Sequence, residues 1–314
     1  MAEDIDKTTL PAVETTAEVK GLKELGVYDT DKGAVKFFNL NGGPLTETED
    51  WKLFVAELPE PKGQLGLFMI ANTPASNPVI DWQEYILRSM QEQATSIDDE
   101  FGTKEYAPNY GAFFPKVFER IDADGRTALV LGYHPIVSAY HEFQPLSAIP
   151  ANKRVDLKSV MWILGKSLKL ATMFHEVGCT IGATTPDNVF ITMKNLEVHG
   201  LFYLDFTNAT DGATTSELQA ELAEMATTAY FAAGGTDVSE PPLDTDIMTA
   251  EQHKEFVANL KRMMSGEVTD ARTEMDRLYE INDRIWPKVP IVDGPNSRGQ
   301  EIKRQWHIFA LRNR

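Results

Sequence analysis

Short apolar runs bounded by Gly, Pro and Asn set the texture of the first part of the chain. Ala34–Leu40 (AVKFFNL), Trp51–Leu58 (WKLFVAEL) and Leu65–Ala71 (LGLFMIA) have the length and punctuation of strands. Asp81 to about Gln93 changes period: Trp82, Tyr85, Ile86 and Met90 recur at helical spacing, just after Asn77-Pro78. Two further strands are predicted near Phe114–Ile121 and Thr127–Tyr133, joined by the turn Asp122-Ala123-Asp124-Gly125. After Pro135 the pattern turns helical. Val155–Val177 carries Val160, Ile163, Leu164, Leu168, Leu170, Ala171 and Phe174 on or near one face. Asn188–Met193 and Leu201–Phe206 read as a hairpin linked by Lys194–Gly200. Helices follow at Ser216–Ala233, which a Gly234-Gly235 stop ends, Thr249–Ser265 and Thr269–Ile285. The first twenty residues lack an apolar period and read as a flexible acidic tail.

Composition adds bounds rather than detail. With 314 residues, 42% of them hydrophobic and 25% charged, the chain can bury a sizeable core as one large or two small domains. No apolar run approaches the ~18 residues that would span a bilayer, and the start shows no signal-peptide core. A cytoplasmic protein without a membrane partner is expected. The formal charge of −17 argues against nucleic acid, whose phosphates require a basic face. From Asn195 to His253 there are eleven Asp and Glu and no Lys or Arg. That stretch is either a solvated acidic face or a surface that favours cationic partners. A single cysteine, Cys179, excludes an internal disulfide and a multi-cysteine zinc site, and its apolar context predicts a buried packing residue.

One stretch carries a chemical pattern. Phe174-His175 closes a helix, Gly178 turns, Ile181-Gly182-Ala183 leads to Asn188, and a short hairpin ends in Asp205-Phe206-Thr207. This resembles the protein-kinase sequence in which a Leu-His pair, an H-G/R-D-x-x-x-x-N loop and a D-F-G end follow one another. The resemblance implies an α+β, two-lobed kinase-like fold, with an N-lobe over 21–133 and a C-lobe over 134–292; the residues beyond, 293–314, read by themselves as a basic amphipathic segment. It also implies that Asn188 and Asp205 are oxygen ligands for the Mg²⁺ of bound ATP. Read without it, Asn188 caps a turn and Asp205 is a polar strand end. The Thr184-Thr185 pair is similar to the loop of the small atypical kinases of the tRNA-modification complex, over few residues.

Two positions depart from the kinase pattern. Ala183 stands where the resemblance places the aspartate base, and a methyl group neither accepts a proton nor orients a hydroxyl. Losing that base removes ~10²–10⁴ in rate. Ile181 replaces the loop's histidine, and Asp187, four residues on from Ala183, is expected to face elsewhere. On the strand Leu65–Ala71, Ala71 stands at the lysine of V-A-I-K. Glu84, the candidate helix glutamate and cofactor-binding residue, would lack its partner unless Lys36 or Lys52 reached the site. Gly42-Gly43 is a turn without G-x-G-x-x-G. No H-E-x-x-H, G-x-S-x-G or Walker sequence occurs, and His175 reads as a core histidine rather than a ligand; His134, His141 and His199 show no metal spacing.

The end of the chain is the other unusual segment. Arg298, Lys303, Arg304, Arg312 and Arg314 accompany Ile302, Trp306, Phe309 and Ala310 at helical spacing. A helix docking on the chain's own acidic surface is expected there, or one engaging a partner. Together these features predict a pseudokinase-like binding, regulatory or scaffold protein with protein partners, those with a basic surface or those that engage the basic segment. Two alternatives stand beside it: an active atypical phosphotransferase or nucleotidyl transferase, and an assembly protein with an empty cleft.

Overall fold

A computed structural model describes residues 21–59, 64–101, 110–132, 143–192 and 201–286, the pairs 289–290 and 301–302, and residues 310–314. Chain contacts divide it into two units. The first is Met1–Gln144 with Phe202–Thr207; the second is Pro145–Leu201 with Asn208–Arg314.

The first unit is a curled antiparallel sheet with one long helix. Its strands are β1 (Leu22–Thr30), β2 (Gly33–Leu40), β3 (Thr46–Glu47), β4 (Trp51–Glu57) and β5 (Leu65–Ala71), then β6 (Lys116–Ala123) and β7 (Arg126–Gly132). They lie in the order β1-β2-β4-β5-β7-β6, with β3 paired to β4. The β6–β7 turn is Asp124-Gly125, both at positive φ, as a tight two-residue hairpin requires. Helix α1 (Asn77–Phe101) starts four residues earlier than the sequence period suggests. Pro78 does not bar it, because a first-turn residue has no intrahelical use for its N–H. Asn77 fixes the start by donating to the Gly125 carbonyl (3.0 Å) and accepting from the Thr127 N–H (2.8 Å).

Strand β1 adds an edge to the expected five-stranded set, and its side chains show how far the sheet curls. Neighbouring strands lie ~4.8 Å apart, so β1 and β5, three steps apart, would be ~14 Å apart in a flat sheet. Yet the Tyr28 ring stacks on Phe68 at 5.5 Å and on Phe37 at 5.6 Å. Lys32, in the β1–β2 turn, donates to the Phe118 carbonyl of β6 at 2.7 Å and sits over the Phe118 ring. The sheet is therefore a half-barrel. Its concave interior holds Val35, Phe54, Ala56, Phe68, Ile70, Ile121 and Val130.

The second unit is mainly helical: α2 (Leu157–Glu176), α3 (Thr215–Ala232), α4 (Ala250–Met264) and α5 (Ala271–Ile285). Each starts at a side-chain cap: Asp156, the capping boxes Thr214/Glu217 and Thr249/Gln252, and Asp270. The apolar stripe of α2 is buried from Leu157 to Phe174, and α2 packs against α3 and α5. Its short strands are β9 (Lys153–Val155), β10 (Val189–Thr192), the pair β12 (Val289–Pro290) and β13 (Glu301–Ile302), and β14 (Leu311–Asn313). Strands β8 (Phe143–Pro145) and β11 (Leu201–Tyr203) lie where the chain passes between units. Residues 311–313 are a strand on β9, not the helix expected there. Backbone pairing with β9 prevails over the helical spacing, most of which falls on 303–309, outside the described residues. The tail 1–20, the connection 193–200 and His134, His141 and His199 also lie outside them.

Candidate functional site

The loop after α2 is shaped by backbone geometry and then pinned by carboxylates. Gly178, at φ +75°, ends the helix, with its N–H on the His175 carbonyl (3.0 Å). Thr180 and Thr210 exchange two hydrogen bonds, of 3.0 and 2.8 Å. Gly182 is at φ +99°, where a Cβ would lie 2.5 Å from the Ala209 nitrogen and 2.6 Å from the Asn208 carbonyl carbon. Only glycine fits there. Its N–H donates to Glu221 Oε1 (2.9 Å), and the Thr184 N–H and hydroxyl both donate to Glu224 Oε2 (2.6 and 2.8 Å). Thr228 donates to the Thr184 carbonyl at 2.9 Å. Helix α3 thus holds the residues on both sides of Ala183.

Glu221 is nearly fully buried, and its other oxygen lies 2.8 Å from His175 Nε2. Burial pushes its carboxyl above the ordinary range, against the opposing pull of His175 and the Gly182 N–H. His175 is thus a core residue that supports the loop. Cys179 is buried as expected, beside Asp211 (3.6 Å), and burial pushes its thiol up to about 11.

Asn188 is buried and donates from Nδ2 to the Ala183 carbonyl (2.8 Å), which fixes the orientation of its amide. Asp187 is exposed. Within the first unit, Asp205 Oδ1 accepts from the Thr207 N–H (2.9 Å) and hydroxyl (2.6 Å). The flanking backbone is held by Gln83 of α1, fully buried, which donates to the Leu204 carbonyl and accepts from the Phe206 N–H (both 2.7 Å). Phe206 is buried edge-on to Phe114.

Gln83, rather than Glu84, is the α1 residue that meets the Asp-Phe-Thr segment. Sequence reasoning passed over it because the kinase pattern directs attention to a glutamate. Glu84 faces the other way, between Arg88 (2.8 Å) and Arg120 (2.9 Å), and Arg120 also meets Asp81 (2.7 Å). Glu84, on α1, is thus held in an arginine cluster.

The sheet also decides between the two substitute lysines. Ala71 pairs with Trp51 and lies on the same face as Met69 and Leu53, opposite the concave cluster. Lys52 pairs with Ile70, so it projects on the concave side, at the rim with Glu47 (3.4 Å). Lys36 pairs with Glu57, which pairs with Leu65, six residues along β5 from Ala71. That offset is ~20 Å, well beyond the reach of a lysine. Neither lysine shares the position and face of Ala71.

The acidic stretch is partly tied to partners and partly exposed: Glu221 and Asp244 are buried, while Asp211, Glu217, Asp237, Glu240, Asp246 and Glu251 are exposed. Of its eleven acids, eight have described partners: Asp205, Asp211, Glu217, Glu221, Glu224, Glu240, Asp244 and Asp246. Among the described residues no group of three or more His, Cys, Asp or Glu is placed to hold a metal ion. The oxygens of Asn188 and Asp205 are of the type magnesium takes. No described helix is long and apolar enough to cross a membrane.

The half-barrel sheet with its helix, followed by a helical unit, is the fold of the protein kinases. No protein-family model matches the sequence, and no curated protein is recognisably similar to it. Among solved structures, the Rad53 kinase domain with SCD2 is similar at a TM-score of 0.50 and 13% identity, over 90% of this chain and 94% of that one. A variant of the PknI kinase domain of Mycobacterium tuberculosis is similar at a TM-score of 0.48 and 15% identity, over 84% and 99%.

Proposed function

We propose that this chain is a pseudokinase-like module: a binding, regulatory or scaffold protein that uses a kinase fold and transfers phosphoryl groups weakly or not at all. The observation that carries this is the setting of Ala183. Glu221 and Glu224 hold the residues before and after it, so the loop cannot slide to bring another carboxylate to that position. Among the described residues, the registers of Lys36 and Lys52, neither of which reaches the Ala71 position, support the same reading. Any nucleotide would depend on the oxygens of Asn188 and Asp205 for its magnesium and would be held weakly.

Thermal melting with and without ATP and Mg²⁺, followed by a radiolabel transfer assay, tests this. A small ATP-dependent shift, or none, with no incorporation above background is the expected result. Incorporation that disappears in Asp205→Ala would establish an atypical transferase instead.

A further inference from the structure

Residues 310–314 lie as an added strand on the second unit. Leu311, Arg312 and Asn313 pair antiparallel with Val155, Arg154 and Lys153. The pairing is extended at both ends, by the Asp156 N–H on the Ala310 carbonyl and the Arg314 N–H on the Asn152 carbonyl, each 3.0 Å. Ala310 returns its N–H to Asp156 Oδ2 at 3.2 Å.

Side chains add to this: Asn313 Oδ1 accepts from Lys153 Nζ (2.7 Å), Arg314 Nε donates to the Lys153 carbonyl (3.0 Å), and Arg312 supplies the charge pairing. Arg312 meets Asp246 at 2.6 Å and Asp244 at 3.5 Å. Asp244 is buried and already fixed, by the Arg154 guanidinium (2.5 Å) and the Leu157 N–H (2.9 Å). Of the two carboxylates, Asp244 is therefore held in place without help from the strand, while the exposed Asp246 is paired by Arg312.

The segment fills this site incompletely. Leu311 is 37% exposed, so its apolar side chain is not buried. About 550 Å³ stays open between β9, the loop 243–246 and the segment itself. In strand addition the main chain supplies affinity and side-chain pockets supply specificity. Here the main-chain bonds are complete and the side-chain volume is not.

We propose that β9 and Asp244–Asp246 form a docking site for an extended, arginine-bearing peptide of a protein partner, which residues 310–314 occupy in cis as a displaceable strand. The partner places an arginine at the register of Arg312 and polar side chains in the mostly polar-lined space that the cis strand leaves open. Being tethered, the cis strand acts at about millimolar effective concentration. A partner must therefore exceed it through the contacts that the cis strand leaves unmade. This inference does not depend on whether the chain transfers phosphate.

The probe is a fluorescent peptide of residues 310–314, titrated by anisotropy against the chain ending at Phe309 and against the full chain. Saturable binding to the shortened chain is expected, with binding to the full chain at least about tenfold weaker. Arg312→Ala in the peptide should weaken binding several-fold, as loss of a largely exposed ion pair does. If the shortened chain does not fold, the full chain carrying Arg312→Ala takes its place. Absence of saturable binding to both receptors, or binding indifferent to the peptide's arginine, overturns the proposal. So does a dimer of the full chain that the peptide dissolves, which would assign the site to a second copy.

Discussion

The side-chain amide of Asn188 donates to the carbonyl of Ala183 at 2.8 Å, bridging residue 183 to the residue that ends its loop. The loop keeps a defined form although residue 183 carries only a methyl group. What holds that form can be tested separately from any catalysis.

Gly182→Ala should destabilise the fold by at least about 2 kcal/mol. Its positive φ strains any L side chain, and the added methyl would meet backbone atoms of Asn208 and Ala209 that cannot swing aside. Urea unfolding compared with the unsubstituted chain measures it. A cost below about 0.5 kcal/mol would mean the loop takes another path.

Glu221 gives the fold a pH dependence of definite sign. Its folded value lies above the ordinary 4.5, mainly through burial. The stability tied to its protonated form is fully present below about pH 4.5 and is lost as pH rises through the raised value. Glu221→Gln keeps an acceptor for the Gly182 N–H and does not ionise. Unfolding free energies from pH 4 to 8 should show the unsubstituted chain losing ground to the variant as pH rises. Parallel curves would count against this account.

The Cys179 thiol, pushed up to about 11, stays protonated near neutral pH and is buried. At pH 8 a thiol reagent should modify it only slowly in the native chain and at once in guanidinium. Fast native labelling would contradict the buried placement.

Asp244→Ala should cost about 3–5 kcal/mol, because it leaves the Arg154 guanidinium buried without its carboxylate. Arg312→Ala, at the more exposed end of the same cluster, should cost about 1 kcal/mol or less. Thermal unfolding of both variants ranks them, and equal costs would refute the difference in burial.

Much of this architecture was legible in the sequence, because it rests on local pattern. The apolar runs placed β2, β4 and β5 to within a residue or two, and the helical period placed α2 to α5 as closely. Strand β1 was missed. Its apolar residues are sparse, with Leu25 and Val27 exposed, and its pairing to β2 is broken by a bulge after Glu24. The role of Gln83 was not legible either, since its partners lie 121 and 123 residues away and an uncharged amide in an apolar stripe carries no motif. The same holds for Glu221 and Glu224. Their charge was visible, but not that helix α3 would turn it inward onto a loop some forty residues upstream.

The first unit is not one continuous piece of chain: it takes Phe202–Thr207 from beyond the start of the second. Phe202, Tyr203, Leu204 and Phe206 are all buried, and Gln83 has no backbone partners at 204 and 206 until they exist. During synthesis at about 5–20 residues per second, the half-barrel therefore waits roughly 3–12 s after Gln144 before its last buried residues are made. Order of manufacture and order of completion differ. A chain stopped at Leu201 should leave the first unit open and prone to aggregate, whereas one stopped shortly after Thr207 should let it close.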